Sequence, residues 1–301
     1  MPWALDDFLT AFRSIEPFQS RLSPRFWPGP LRLRLQPPGL GPVAIRFDAA
    51  SAAWVRARTK TGLGVHEPGL VKSLIALRRL HGPFEGHDFY DVGSLHGYVG
   101  LLAGRILQTR RVVGFEMNPQ AARLAGTNAA LNATAGQEIT VLHAGVSNEV
   151  ARAVPCLYKD FALAVRPDPA TARRLRQQGY QAVDIDLLTL DDVSEKRNLF
   201  PKVIKIDVEG SQMSILRGAG KILRESAPVL LIEADGPNAS NSDGTPMADL
   251  CSHLIRNYDY RIAATNHRDW EAPLVVVTDA AIASGKLKLE RNQLFVCLPP
   301  R

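Results

Sequence analysis

Apolar and polar positions alternate with period two in Leu31-Arg-Leu-Arg-Leu35 and again in Val43-Ala-Ile-Arg-Phe47. Such alternation marks strands with one buried face, and Pro37-Pro-Gly-Leu-Gly-Pro42 between them predicts a β-hairpin. A short helix is predicted over 5–12. Residues 67–80 place Leu70, Val71, Leu74, Ile75 and Leu77 at helical spacing. From residue 88 the rhythm becomes strand, helix, strand, helix. Apolar runs predict strands at 88–92, 112–116, 139–143, 203–207 and 229–233. Helical periodicity predicts helices at 98–107, 119–131, 211–224 and 246–257. Alternation of this kind builds a mostly parallel sheet covered on both faces, an α/β fold.

Residues 148–200 break the rhythm. They hold a strand pair over 156–165, an Arg-rich helix over 171–178 and a second apolar stretch from Ala182. An insertion this long beside strand ends reads as a substrate cap. Two tail strands, 274–277 and 293–298, are expected to form an antiparallel closing pair. The expected organisation is therefore a basic N-terminal extension with its hairpin (1–64) and a main domain (65–301) that carries the cap.

Composition narrows the class. The chain has 301 residues, 46% hydrophobic and 22% charged, as an ordinary globular protein does. No apolar run approaches the eighteen or so residues of a membrane span, so no membrane partner is expected. Asp6, Asp7 and Glu16 stand where a signal peptide would be apolar. Cys156, Cys251 and Cys297 are widely spaced, with neither a disulfide pattern nor a zinc pattern. The expectation is a cytoplasmic protein. Net charge is +6, and residues 1–60 hold nine Lys/Arg against four Asp/Glu. That excess fits either a solvated extension, which is favoured, or a face for an anionic partner such as RNA.

The most informative segment is Phe89-Tyr-Asp-Val-Gly-Ser-Leu-His-Gly97. It reads as a strand ending in an acid, then Gly93 and Gly97 in a turn, then a helix. The next strand ends in Glu116. Glycines let the backbone approach a ligand, and a helix N-terminus offers free N–H groups. A strand-end acid can accept hydrogen bonds from ribose hydroxyls. The nicotinamide fingerprint is Gly-x-Gly-x-x-Gly, with room for a pyrophosphate. Here Asp91 precedes the glycines and would repel one. A cationic donor with an amino group and a sulfonium, S-adenosylmethionine, fits better. Ser94, His96 and Met117 are candidate neighbours of that cofactor.

Lys205, Asp207 and Glu209 alternate at one strand end, and Glu233 ends the next strand. Unpaired buried charge is costly, so these groups must be paired, solvated in a cleft or bound to a ligand. A general base for a hydroxyl, an oxygen site for a magnesium-like ion and a plain salt-bridge network all remain open. Asp207 and Glu209 are the candidate catalytic residues. Lys205, Glu233 and His267, the last in Asn266-His-Arg-Asp-Trp270, are candidate substrate contacts. No metal ligand is assigned.

Read jointly, Tyr90-Asp-Val-Gly-Ser-Leu-His-Gly-Tyr98, Gly114-Phe-Glu-Met-Asn-Pro119, Asn128-Ala-Ala-Leu-Asn132, Leu188-Thr-Leu-Asp-Asp192, Lys205-Ile-Asp-Val-Glu-Gly210, Leu216-Arg-Gly-Ala219 and Leu231-Ile-Glu233 resemble the FkbM-type S-adenosylmethionine-dependent methyltransferases. The resemblance spans roughly 65–298. It implies a seven-stranded, mostly parallel Rossmann-like sheet of the class I methyltransferase type, with the last strand antiparallel. It also implies O-methylation of a sugar, glycan or small natural product. Asp91, Gly93 and Gly97 match the cofactor loop, Glu116 the ribose acid, and Val146 and Ser147 the adenine edge. Lys205, Asp207 and Glu209 match the Lys-x-Asp-x-Glu-Gly box. Two departures stand out. Ser94-Leu95-His96 replaces the usual Ala-Asn of the loop. Gln212 replaces a Glu after the box, which argues against a carboxylate-rich metal site. An RNA-directed methyltransferase, a nicotinamide oxidoreductase and a non-catalytic cofactor-binding protein are the alternatives.

Overall fold

The structure is a computed structural model that describes residues 4–18, 20–23, 30–37, 39–59, 64–159, 162–234, 245–285 and 292–300. In chain order its elements are α1 (Leu5–Arg13), β1 (Ser20–Leu22), β2 (Leu31–Leu35), β3 (Val43–Phe47), α2 (Ala49–Arg58), α3 (Pro68–His81), β4 (Asp88–Val92), α4 (Tyr98–Leu107), β5 (Arg111–Glu116), α5 (Pro119–Leu131), β6 (Glu138–His143) and β7 (Gly145–Val146). Then come β8 (Ala151–Lys159), β9 (Ala162–Val165), α6 (Pro169–Gln177), β10 (Gln181–Leu188), α7 (Leu190–Arg197), β11 (Pro201–Ile206), α8 (Gln212–Arg217), α9 (Gly220–Glu225) and β12 (Val229–Ala234). The last five are α10 (Met247–Tyr258), β13 (Arg261–Asn266), β14 (Val275–Val277), α11 (Asp279–Ala283) and β15 (Gln293–Leu298).

The main sheet has the order β14-β13-β15-β12-β11-β4-β5-β6. Strands β6, β5, β4, β11 and β12 are mutually parallel, and β15 runs antiparallel between β12 and β13. The reversed strand matches the expectation, but the strand count does not. The sheet is mixed and eight-stranded, because β14 adds an antiparallel edge to β13. The expected closing pair is also corrected. The strands near 275 and 293 do not touch each other; β13 lies between them. Periodicity gave no strand at β13, whose Ala263 and Ala264 carry little β-propensity. All six residues of β15 are buried, which suits the middle of a sheet and not its edge.

Register aligns the ends that matter. Asp91 pairs with Lys205 on one side and Gly114 on the other, and Lys205 pairs with Leu231. The carboxyl ends of β4, β5, β11 and β12 thus share one rim.

One face of the sheet packs on α3, α4 and the N-terminal elements; the other packs on α7–α10. The small sheet β1-β2-β3 buries Leu31, Leu33, Leu35, Val43, Ile45 and Phe47 against the same core as Leu74 and Leu101. Arg34 and Arg46 face outward. Each of the six apolar side chains contributes about 1.5–3 kcal/mol by its burial. Helix α2, which periodicity did not suggest, starts at Asp48, whose side chain accepts from Ser51 N. Asn128 of α5 ties this region down. Its Oδ1 accepts from Asp48 N at 2.8 Å, and its Nδ2 donates to Ser51 Oγ and to the His96 carbonyl.

Residues 145–188 form a second sheet, β7-β10-β8-β9, with a small core of Val154, Cys156, Ile185 and Leu187 that packs on Met117. The helix expected over 211–224 is two helices. The break falls at Gly218, the C-cap of α8, where a Cβ would overlap the Ser147 carbonyl oxygen. Asp191 then caps α9, accepting from Lys221 N and Ile222 N, each at 2.9 Å. Among the described residues no helix is long and apolar enough to cross a membrane.

Candidate functional site

The loop after β4 is shaped by two left-handed glycines, Gly93 (φ 77°) and Gly97 (φ 75°). A Cβ on Gly93 would overlap the Asp207 carbonyl oxygen, so glycine is needed where β4 and β11 close together. Gly97 caps α4. Glu116 accepts from Leu95 N through Oε2 and from Asn118 N through Oε1, both at 2.8 Å. These bonds aim the carboxylate at the rim and hold the loop in shape. Each oxygen keeps a second lone pair for a ligand hydroxyl. Burial raises the Glu116 carboxyl, and the two backbone bonds oppose that shift.

Asp91 sits lower than the sequence suggested. It is 0% exposed. Oδ2 accepts from Gly100 N at 2.8 Å, and Oδ1 lies 3.4 Å from Lys205 Nζ. It holds the loop and α4 from beneath and does not line the cleft. Burial raises its carboxyl, with Lys205 pulling the other way. Ser94 and His96 are buried as well. The His96 ring packs on Trp54 of α2, 4.9 Å between centroids. Asp91 and His96 both lie buried beneath the loop. Met117, Val146 and Ser147 lie together where β5 and β7 end, with Ser147 N bonded to the Leu188 carbonyl at 2.8 Å.

Lys205 is buried, and its ammonium meets the Gly93 carbonyl at 2.9 Å, Asp207 Oδ2 at 3.1 Å and Asp91 Oδ1 at 3.4 Å. Burial disfavours its charge. Asp207, Asp91, Glu233 and Glu67 outweigh burial and push its pKa up. Asp207 is the member of this group that reaches outward, with its side chain 33% exposed. Glu209 is exposed and stands outside the cluster.

Its place is taken by Glu67, which the sequence reading missed. Glu67 caps α3 in a left-handed conformation, φ 55°. That strain costs a non-glycine residue about 1–3 kcal/mol and tends to mark function. The available signal was an acid at a helix start, ahead of Pro68 and alone between Asp48 and Glu85. Glu67 Oε1 lies 2.8 Å from His66 Nε2, and Glu233 Oε2 lies 2.9 Å from His267 Nδ1. Arg268 Nε donates to His267 Nε2 at 3.0 Å, which fixes the tautomer with the proton on Nδ1. Burial holds His267 neutral, down to about 4. The other oxygens, Glu67 Oε2 and Glu233 Oε1, are buried and find no protein donor. Glu233 is pushed well above the carboxylate range by burial, then by Glu67 and Asp207. Burial also opposes charge on Glu67, but the His66 bond and nearby cations outweigh it and hold it low.

Lys205, Glu233 and His267, the expected substrate contacts, are all buried. They are brought together, but as the floor of the site. Beside them a cleft of about 430 Å³ is lined by Arg58, His66, Glu67, Arg268, Trp270 and Glu271. A larger cavity, about 870 Å³, lies far from this chemistry, at the amino-end edge of the sheet.

The residues present fit S-adenosylmethionine. The rim offers the Glu116 carboxylate, able to accept from ligand hydroxyls, and glycines where backbone must come close to a ligand.

A profile for the methyltransferase FkbM domain matches residues 91–262, more than half of the chain. No curated protein matches. Among solved structures, a methyltransferase FkbM from Methylobacillus flagellatus KT is 17% identical, with a TM-score of 0.40. That alignment covers 82% of this chain and 59% of the other, so the chain spans under two thirds of that protein's length. TrmK of M. capricolum in complex with S-adenosyl-homocysteine is 12% identical (TM-score 0.39; 77% and 68% covered). A SAM-dependent methyltransferase from Agrobacterium tumefaciens is 13% identical (TM-score 0.39; 92% and 72% covered). On the strength of the profile match, which takes in the glycine loop, Glu116 and the Lys205–Gly210 box, the chain belongs to the FkbM methyltransferase family.

Proposed function

We propose that the protein is an S-adenosylmethionine-dependent O-methyltransferase that acts on a hydroxyl of a sugar, glycan or small natural product. The observation that supports this most is the contact between Gly93 and Asp207. It sets a carboxylate able to take a hydroxyl proton beside the loop able to hold the donor. When bound, the cofactor supplies an electrophilic methyl group on a sulfonium. Glu116 accepts the ribose hydroxyls. Met117, Val146 and Ser147 border the adenine. Asp207 takes the acceptor proton, and Lys205, 3.1 Å from its Oδ2, orients its carboxylate. Holding acceptor and donor in line contributes up to about 7–11 kcal/mol in the best model systems, so the base has a modest task. Residues 148–200 cap the acceptor. Glu209, outside the cluster, is a weaker choice for the base.

The test is Asp207→Asn, measured for cofactor affinity by calorimetry and for turnover with a labelled donor and a panel of hydroxyl acceptors. Affinity should persist and turnover should fall by about 10²–10⁴. Full turnover in that variant removes Asp207 from the reaction. One observation favours a second reading, methylation of RNA. Arg46, Arg78 and Arg105 line the larger cavity. Steeply salt-dependent RNA binding would carry that reading.

A further inference from the structure

We propose that Glu67, Asp207 and Glu233 form a binding site for one hard divalent cation of the Mg²⁺, Mn²⁺ or Ca²⁺ kind. One carboxylate oxygen from each residue lies within 4.8 Å of the other two. Oxygens bound at about 2.0–2.6 Å from a single ion span separations of this size. Among the described residues this is the one such grouping of His, Cys, Asp and Glu.

A second observation points to a ligand. Glu67 and Glu233 are 6% and 3% exposed. Each engages a histidine with one oxygen and leaves the other buried without a donor. A buried carboxylate oxygen left bare is expensive, and two facing one site are more so. Lys205 does not relieve them, because its three contacts go to Gly93, Asp91 and Asp207. An ion in the gap would satisfy both oxygens at once.

The surroundings suit a metal centre. His66 and His267 stand 2.8 and 2.9 Å from the outer oxygens, where groups behind ligating carboxylates stand, and Arg268 bonds His267 in turn. The donors are all oxygen, which selects hard ions over zinc or copper. Two openings give access. Asp207 is partly exposed, and Glu67 lines the 430 Å³ cleft. An ion held there would lie beside that cleft through Glu67, where an acceptor oxygen could reach it. This last role rests on the methyl-transfer reading; the site itself does not. The sequence pointed away from a metal because it looked for the third carboxylate near Gln212. The chain supplies it from the start of α3.

The experiment is calorimetric titration of the chelator-treated full chain with MgCl₂, MnCl₂ and CaCl₂ separately, with thermal melts in parallel. One ion per chain should bind, and the melting temperature should rise with it. Glu67→Gln and Glu233→Gln should each weaken binding by about 10–100-fold or more, while Glu138→Gln, on an exposed strand, binds as wild type does. Cofactor titration and near-ultraviolet dichroism confirm that the variants are folded. No stoichiometric binding of any of the three ions at millimolar concentration overturns the proposal; a proton shared by Glu67 and Glu233 then fills the gap. Unchanged affinity in both variants overturns it equally. Methyl transfer that persists in chelator overturns the acceptor-binding role and spares the enzyme reading, while the site itself stands or falls with the titration. An ion that binds to a protein unable to transfer methyl spares the site and overturns the enzyme reading.

Discussion

Replacing Lys205 with methionine keeps most of the side-chain volume and removes the ammonium. The structure says what is lost. The Gly93 carbonyl loses a donor at 2.9 Å, and Asp91 and Asp207 lose their cation at 3.4 and 3.1 Å. Asp207 is partly exposed and regains water. Asp91 is fully buried and keeps only the Gly100 N–H. Breaking a buried pair from one side costs about 3–5 kcal/mol. In a chain of 301 residues that lowers the melting temperature by about 5–8 °C. The pH dependence gives a second readout. Asp91 is raised above its unfolded value, by burial first, so its contribution is present at low pH and is lost as pH rises through the folded value. Loss of Lys205 raises it further. The Lys205→Met deficit should therefore be largest at neutral pH and should close as pH falls through the elevated Asp91 value. Chemical denaturation across that range is the assay. Adding Asp91→Asn to Lys205→Met should restore much of the stability, since neither charge is then stranded. A deficit under about 1 kcal/mol, or one indifferent to pH, would show that Lys205 does not neutralise Asp91.

Glu116→Ala removes the anchors of Leu95 N and Asn118 N along with the proposed ribose acceptor. Cofactor affinity by calorimetry should drop about 10–100-fold, from charged hydrogen bonds of about 1.5–3 kcal/mol; an unchanged constant removes Glu116 from the ribose. Gly93→Ala forces a side chain into a left-handed position, costing about 1–2 kcal/mol, and onto the Asp207 carbonyl. A lower melting temperature and lost cofactor binding are expected, and a variant normal in both would contradict the closure of β4 on β11. Asn128→Ala should cost about 1–3 kcal/mol and speed proteolysis within 49–59; an equally resistant variant means that Asn128 does not anchor α2.

The sheet was legible where strands are short apolar runs that end in an acid or a glycine. Strands β4, β5, β11 and β12 are of this kind, and their order along the chain set the α/β class. Other parts were hidden for identifiable reasons. Strand β13 reads Arg-Ile-Ala-Ala-Thr-Asn, too weak in β-branched and aromatic residues to stand out. Helices α8 and α9 read as one because the apolar spacing runs on across Gly218, and the close approach of Ser147 there is far away in sequence. Glu116 and the glycine loop were legible because their chemistry is local. Glu67 was not. Its meaning comes from Asp207, Glu233 and His267, and no window of sequence contains them together. The packing of the His96 ring on Trp54 of α2 was hidden for the same reason, because the two residues lie in separate segments of the chain.

The insertion of β15 between β12 and β13 bears on synthesis. Both neighbours leave the ribosome before residues 293–298 do, so each carries an open backbone edge until that segment arrives. Open edges template unwanted strand pairing. Nascent chains paused short of β15 are thus the form most in need of a chaperone, and the substrate floor built on Glu233 and His267 stays unsupported until translation has passed it.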